Sequence, residues 1–220
     1  PQLVYGRPER APQEFDDMRD IQVIAVALLA TVLPMLALAD ADPASTECDR
    51  LAAHPEDPDH IGIGVPTQNV DLPAAVVACR AELERQPDNQ RIRYQYARVL
   101  AYTGQWDASA LEMKKAADAG YRQAQFVYGL FIGRGRPGMP RDACLAGEYW
   151  LKAAYAGRQA ARVQYAHDYL DGKFNSCQDR ASIDEVRSVL AVAAAEARDF
   201  YERMLLGDLQ KRAAESGSNK

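Results

Sequence analysis

Small apolar residues return along the second half of the chain in a register longer than any single helix. Ala116-Ala117-x-x-Gly120-x-x-x-Ala124 is repeated 37 residues later as Ala153-Ala154-x-x-Gly157-x-x-x-Ala161. Lys115 and Lys152, Tyr128 and Tyr165, Ile132 and Tyr169, and Gly135 and Gly172 fall at the same offset. A period of this length marks stacked helical hairpins, because one hairpin cannot bury its own apolar face and needs a neighbour to cover it. The glycine after each Ala pair is the expected end of a helix, since glycine takes left-handed backbone at little cost. Hydrophobic periodicity predicts helices over 72–86, 90–103, 106–119, 122–133, 142–156 and 159–171, then one long helix over about 182–214 with Gly207 as its point of weakness. Asp71, Asn89 and Asp142 stand where a side-chain acceptor satisfies the free amides of a first turn. Residues 40–70, rich in Pro, Asp and Gly, are expected to be irregular, and the final SGSNK to be frayed.

Against this pattern, residues 116–172 resemble Sel1-like repeats, a subclass of the tetratricopeptide-like superfamily. The Sel1 pattern expects A-A-x-x-G, then A-x-x-x-L-G-x-x-Y-x-x-G, a loop with G-V and Asp, and K-A-x-x-W. This chain offers Tyr128-Gly129, Gly135, Gly138-Met139, Asp142, Leu145-Ala146 and Tyr149. It departs in having Leu145 for Lys, Tyr149 for Trp and Ile132 for Tyr. Residues 90–123 are similar to an ordinary tetratricopeptide unit, with Tyr96-Ala97, Leu100, Gly104, Trp106, Ser109, Met113 and Ala116 at its signature spacings. A half-repeat with Ala75 and Cys79, closed by Pro87, precedes it, so the resemblance covers about residues 72–175. The segment CDRLAAHPEDPDH resembles, more loosely, the leader found before Sel1 repeats in exported bacterial proteins.

The resemblance implies an all-α fold: an α-solenoid of stacked antiparallel helical hairpins over 72–181, with a long C-terminal capping helix and tail over 182–220. A disulfide-tethered leader, 40–71, comes before it. It also implies a scaffold for protein–protein or peptide-segment interaction in the bacterial cell envelope, with a regulatory role open. Helices 90–103, 122–133 and 159–171 would line the concave face, with Arg93, Gln125, Tyr128, Arg162, Tyr165 and Tyr169 looking into the groove. Arg and Tyr are over-represented at the energetic centres of interfaces. A core reading stays open for Tyr128 and Tyr165, which hold the position where Leu is usual.

Residues 21–39 run nineteen residues without a charge and end in Ala37-Leu38-Ala39. An apolar run closed by small residues reads as a signal peptide, residues 18–39, cleaved near Ala39. The stretch is just long enough to be an inner-membrane anchor instead, although it lacks a basic flank. Met18 directly precedes it, so residues 1–17 read as a non-native or over-extended start. The expected location is periplasmic or secreted, with no stable membrane insertion after cleavage.

The four cysteines, Cys48, Cys79, Cys144 and Cys177, all follow that segment. An even number in an exported chain suggests two disulfides, with three pairings possible. The repeat register favours Cys144 with Cys177, leaving Cys48 with Cys79. Lys and Arg number 26 against 31 Asp and Glu, a net charge of −5, which argues against a nucleic-acid binder. Apolar residues at 48% supply a real core.

Candidate chemistry is sparse. G-x-G-x-x-G occurs at 133–138, but a helix rather than a strand precedes it and Pro137 interrupts it, so no dinucleotide site is expected. HPEDPDH at 54–60 gathers metal-ligating residue types without ligand spacing and reads as a solvated loop; His167 reads as a surface histidine. No nucleophile, zinc-protease or phosphate-loop motif is present, so no catalytic residue, metal or cofactor is expected. A second function stays open: a cell-wall-related small-ligand binder or weak enzyme, as enzyme names attached to the family suggest.

Overall fold

The computed structural model describes residues 45–136 and 139–216, all within one unit bounded by Asp42 and Lys220. The extension and signal segment expected over residues 1–39 lie outside the described residues. Helices α1 (Glu47–Ala52), α2 (Leu72–Arg85), α3 (Gln90–Tyr102), α4 (Trp106–Asp118), α5 (Arg122–Arg134), α6 (Ala143–Tyr155), α7 (Gln159–Leu170), α8 (Ile183–Ala195) and α9 (Phe200–Glu215) follow in order, with a 3-10 turn at Thr67–Asn69. Each helix from α2 to α9 packs on the next, α1 lies on both α2 and α3, and α9 returns to α7. This is a one-dimensional stack of hairpins, the architecture expected of the repeat.

The 37-residue register is visible in backbone geometry. Gly120 and Gly157 adopt φ of 91° and 87°, where a side chain would strain the backbone. In each case the following amide turns back: Tyr121 N–H donates to Ala116 O at 3.0 Å, and Arg158 N–H donates to Ala153 O at 2.8 Å. The residue five beyond each glycine then pins the same helix end, Gln125 Nε2 donating to Ala117 O and Arg162 Nε to Ala154 O, both at 3.2 Å. The expected caps are made as well, with Asp71, Asn89 and Asp142 accepting from Ala74, Ile92 and Leu145 amides.

Two expectations are corrected. The C-terminal stretch is not one long helix: α8 ends at Ala195 and α9 begins after Asp199, while Gly207 lies uninterrupted within α9. The break comes from competing caps, because Asp199 accepts from Glu202 N–H at 2.8 Å and starts a new helix there. The leader is not irregular throughout. Thr46 and Asp49 form a reciprocal capping box that starts α1, whose residues Cys48, Asp49 and Ala52 are buried.

The core runs continuously from α3 to α9, with a separate cluster of Cys48, Ala52, Ala75, Cys79, Ile92 and Val99 under the leader. Trp150 is seated through two glycines of α5. A Cβ on Gly129 would lie 2.4 Å from its Nε1 and one on Gly133 2.9 Å from its ring, so larger residues there would expel the indole. Its Nε1–H donates to Phe126 O at 3.1 Å. Both disulfides are formed, Cys48–Cys79 with Cα atoms 4.5 Å apart and Cys144–Cys177 with 5.4 Å.

Candidate protein-binding face

The leader straps the edge of the stack. Asp49 anchors it: fully buried, its carboxylate takes Arg91 Nε and Nη2 at 2.8 and 2.9 Å, Gln95 Nε2 at 2.9 Å, and its own helix cap at Thr46. Burial pushes the Asp49 carboxyl upward, but Arg91, Thr46 and Gln95 outweigh it and hold it below its ordinary value. Arg98 donates to Ala52 O at 2.7 Å and Val65 O at 3.0 Å, fixing both ends of the next loop to α3. Asp57 lies within that loop, 1% exposed, and accepts the Tyr121 hydroxyl at 2.7 Å. Asp59 receives Arg122 Nε and Nη2 at 2.8 and 2.6 Å, and the same guanidinium donates to Ala156 O at the end of α6. One segment thus ties α3, α5 and α6 together.

The HPEDPDH segment is therefore structural rather than a solvated loop. A lone carboxylate buried at Asp57 is costly, which raises its pKa, and the Tyr121 hydroxyl works against that rise. His54 is also affected: burial, then the positive charges of Arg98 and Arg158, depress it to about 4. Its Nδ1 accepts the Glu56 amide at 3.0 Å, a role that needs the neutral ring.

Of the six residues expected to look into a groove, four are buried: Gln125, Tyr128, Arg162 and Tyr165. Gln125 and Arg162 pin helix ends as described. Tyr128 meets Tyr149 edge to face at 5.0 Å, and Tyr165 stacks on Phe174 at 5.1 Å while accepting Ala181 N–H at 2.9 Å. These tyrosines fill the space between hairpins that Leu fills elsewhere. Arg93 is half-buried and paired with Glu112. Tyr169 is half-buried beneath the Arg180 guanidinium at 5.6 Å.

The open surface lies elsewhere. A cleft of about 540 Å³ runs between α5 and α7, floored by Leu130, Trp150 and Val163 and rimmed by Arg134, Arg141 and Lys173. A second cavity of about 350 Å³ lies beside the Cys144–Cys177 bridge, with Leu151, Tyr165 and Phe174 on one wall and Glu148, Asp179 and Arg180 at its mouth. His167, Asp168 and Asp171 bring ligand atoms within 4.8 Å of one another at the end of α7. Lys173 already takes Asp168 at 2.7 Å and Arg212 takes Asp171 at 2.7 Å, so the carboxylates are neutralised by cations. None of these arginines and lysines carried a repeat signature, and no pattern in the chain marked them.

No protein-family model matches the chain, and no curated protein does. Among solved structures, it is similar to a Sel1 repeat protein from Oxalobacter formigenes, with 18% identity over 60% of this chain and 97% of that one, at a TM-score of 0.49. It is also similar to c5321, a protective antigen of uropathogenic Escherichia coli displaying an SLR fold. That match has 16% identity and a TM-score of 0.52, over 74% of this chain but 32% of the antigen. The fold is a Sel1-like repeat array. Such an array is a helical repeat scaffold in which each hairpin packs on its neighbours. The chain spans about a third of the antigen's length, and the likeness concerns the fold alone.

Two disulfides in the Sel1-like array point to folding outside the reducing cytoplasm. Among the described residues no helix is long and apolar enough to cross a membrane.

Proposed function

We propose that this chain is an exported Sel1-like scaffold that holds a peptide segment of a partner protein in the cell envelope. The observation that carries the reading is the uncovered cleft between α5 and α7. Elsewhere along α3 and the start of α5 the leader occupies the edge of the stack, whereas this cleft combines apolar floor and charged rim and faces solvent. Apolar pockets with a few polar groups are where ligands gain both area and orientation. The two bridges and the apolar segment at 21–39 support an envelope location after signal cleavage.

The test is chemical cross-linking in intact cells from a photoreactive residue placed at Val163, with the oxidised chain exported from its own start. A discrete adduct that disappears when the probe is moved to exposed Leu111 supports the reading. Equal labelling at both positions, or none at Val163, counts against it.

The cavity beside Cys144–Cys177 favours a second reading, a small-ligand binder acting on cell-wall material. Its volume of about 350 Å³ falls within the range of small-molecule sites. A thermal-shift screen with cell-wall fragments tests it, since a ligand at about 100 times its Kd adds about 2.7 kcal/mol of stability. No stabilisation by any fragment at millimolar concentration would remove it.

A further inference from the structure

Two unpaired arginines meet at the α5–α7 cleft. Many arginines elsewhere pair with carboxylates of the chain, among them Arg91 with Asp49, Arg93 with Glu112, Arg122 with Asp59, Arg162 with Glu196, Arg187 with Asp184 and Arg212 with Asp171. Arg134 at the end of α5 and Arg141 in the following loop are both exposed, and among the described residues neither has a carboxylate or hydrogen-bond partner. The acidic groups nearest the floor are already neutralised, Asp168 by Lys173 and Asp171 by Arg212. The result is a cationic rim on a chain whose net charge is −5.

We propose that this cleft recognises an acidic peptide segment of the partner. This rests on the scaffold reading above and adds the chemical class of the ligand. The guanidiniums of Arg134 and Arg141 are free to take carboxylates in the two-pronged geometry that favours arginine over lysine. Leu130, Trp150 and Val163 line the same cleft, so an apolar side chain adjacent to the acidic ones meets an apolar lining. That combination separates a peptide from a nucleic acid. A duplex or single strand would need a basic track along several repeats. Beyond this cleft the leader edge instead exposes Glu56, and Asp59 is engaged by Arg122.

The experiment pans a bead-displayed library of random 12-residue peptides with the full oxidised chain, then measures selected peptides by fluorescence anisotropy. The account expects selected sequences to place Asp or Glu beside Leu, Val or Phe. It expects affinity to fall at least tenfold in the double variant Arg134→Gln/Arg141→Gln, and at least fivefold between 50 and 300 mM salt. Arg203→Gln, an exposed arginine of α9 outside the cleft, should change affinity less than twofold. All three positions are exposed, and unchanged melting temperatures verify that the variants fold.

Selected peptides without acidic enrichment, or with undiminished binding to the double variant, overturn the acidic specificity while leaving the scaffold reading intact. Selection of no peptide at all overturns both. Heparin or duplex DNA binding as tightly, with the same loss in the double variant, makes the site a general polyanion patch and overturns the peptide proposal.

Discussion

The Cys48–Cys79 and Cys144–Cys177 bridges join residues 31 and 33 apart in sequence, yet they sit in opposite surroundings. Both sulfurs of the first are fully buried against Ala52, Ala75, Ile92 and Val99, roofed by a leader that hydrogen-bonds to α3 and α5. Those of the second are half-buried and line a cavity of about 350 Å³. The first bridge is closed over by its own chain; the second staples α6 to the loop after α7 and is left open. The difference teaches where to look for function, since a scaffold surface already covered by its leader has nothing left to offer a partner.

In the chain-entropy account the two loops are equivalent, each bridge being worth about 3–4 kcal/mol. Context should split them. Replacing Cys48 and Cys79 together with Ala also opens a cavity in a dry cluster, so urea unfolding at pH 7 should show a loss of about 4–5 kcal/mol. The pair Cys144→Ala/Cys177→Ala should lose no more than about 3 kcal/mol, because the open site has little packing to forfeit. Equal losses would mean that the leader cluster adds nothing beyond loop closure.

The ion pairs repeat the contrast. Asp49→Ala leaves Arg91 and Gln95 without their buried partner and removes the carboxylate half of the α1 capping box, and should cost about 3–4 kcal/mol. Asp184→Ala, which breaks an exposed pair with Arg187 on α8, should stay within about 0.5 kcal/mol. Both are measured by the same denaturant titration.

A smaller effect depends on pH. The folded His54 pKa, about 4, lies below its ordinary 6.5. Between those values the unfolded chain binds a proton that the folded chain refuses, so its contribution is full above pH 6.5 and is lost as pH falls towards 4. Allowing for partial exposure, that slope amounts to about 1–2 kcal/mol. Asp57 acts with the opposite sign. Its raised pKa lets the folded chain take a proton first, so its contribution grows as the solution becomes acidic. His54→Gln should therefore flatten stability between pH 6.5 and about 4, and an unchanged slope would place the titration responsible on groups other than His54.

The smallest expected effect is a gain. Gly207 sits exposed in mid-helix with open space where a Cβ would go, so Gly207→Ala should stabilise by about 0.5–1 kcal/mol in thermal unfolding.

That residue also illustrates what could be read in advance. Repeat positions were legible because each is set by local chemistry: Gly120 and Gly157 by positive φ, Asn89 and Asp142 by capping. Gly207 misled because glycine weakens a helix without ending it, while the actual break carried a quieter signal, Asp199 three residues before Glu202. Thr46 and Asp49 likewise spell a capping box that starts α1. The strap itself had no such signature. Asp57 meets Tyr121 across 64 residues, and only the stacked array brings them together. The cleft was illegible for the same reason, its floor and rim coming from α5, α6, α7 and two loops. The six groove candidates were chosen by residue type and helix face, which cannot separate a tyrosine filling space between hairpins from one facing solvent.

The division between the covered Cys48–Cys79 bridge and the open Cys144–Cys177 bridge is tested most directly by partial reduction. The full oxidised chain is exposed to rising dithiothreitol under native conditions, trapped with iodoacetamide, and mapped by peptide mass. Exchange requires a thiolate to reach the sulfur, so access controls the order. The account predicts that Cys144 and Cys177 become alkylated while Cys48 and Cys79 stay paired until the chain unfolds. Simultaneous labelling, or Cys48 and Cys79 appearing first, would contradict it.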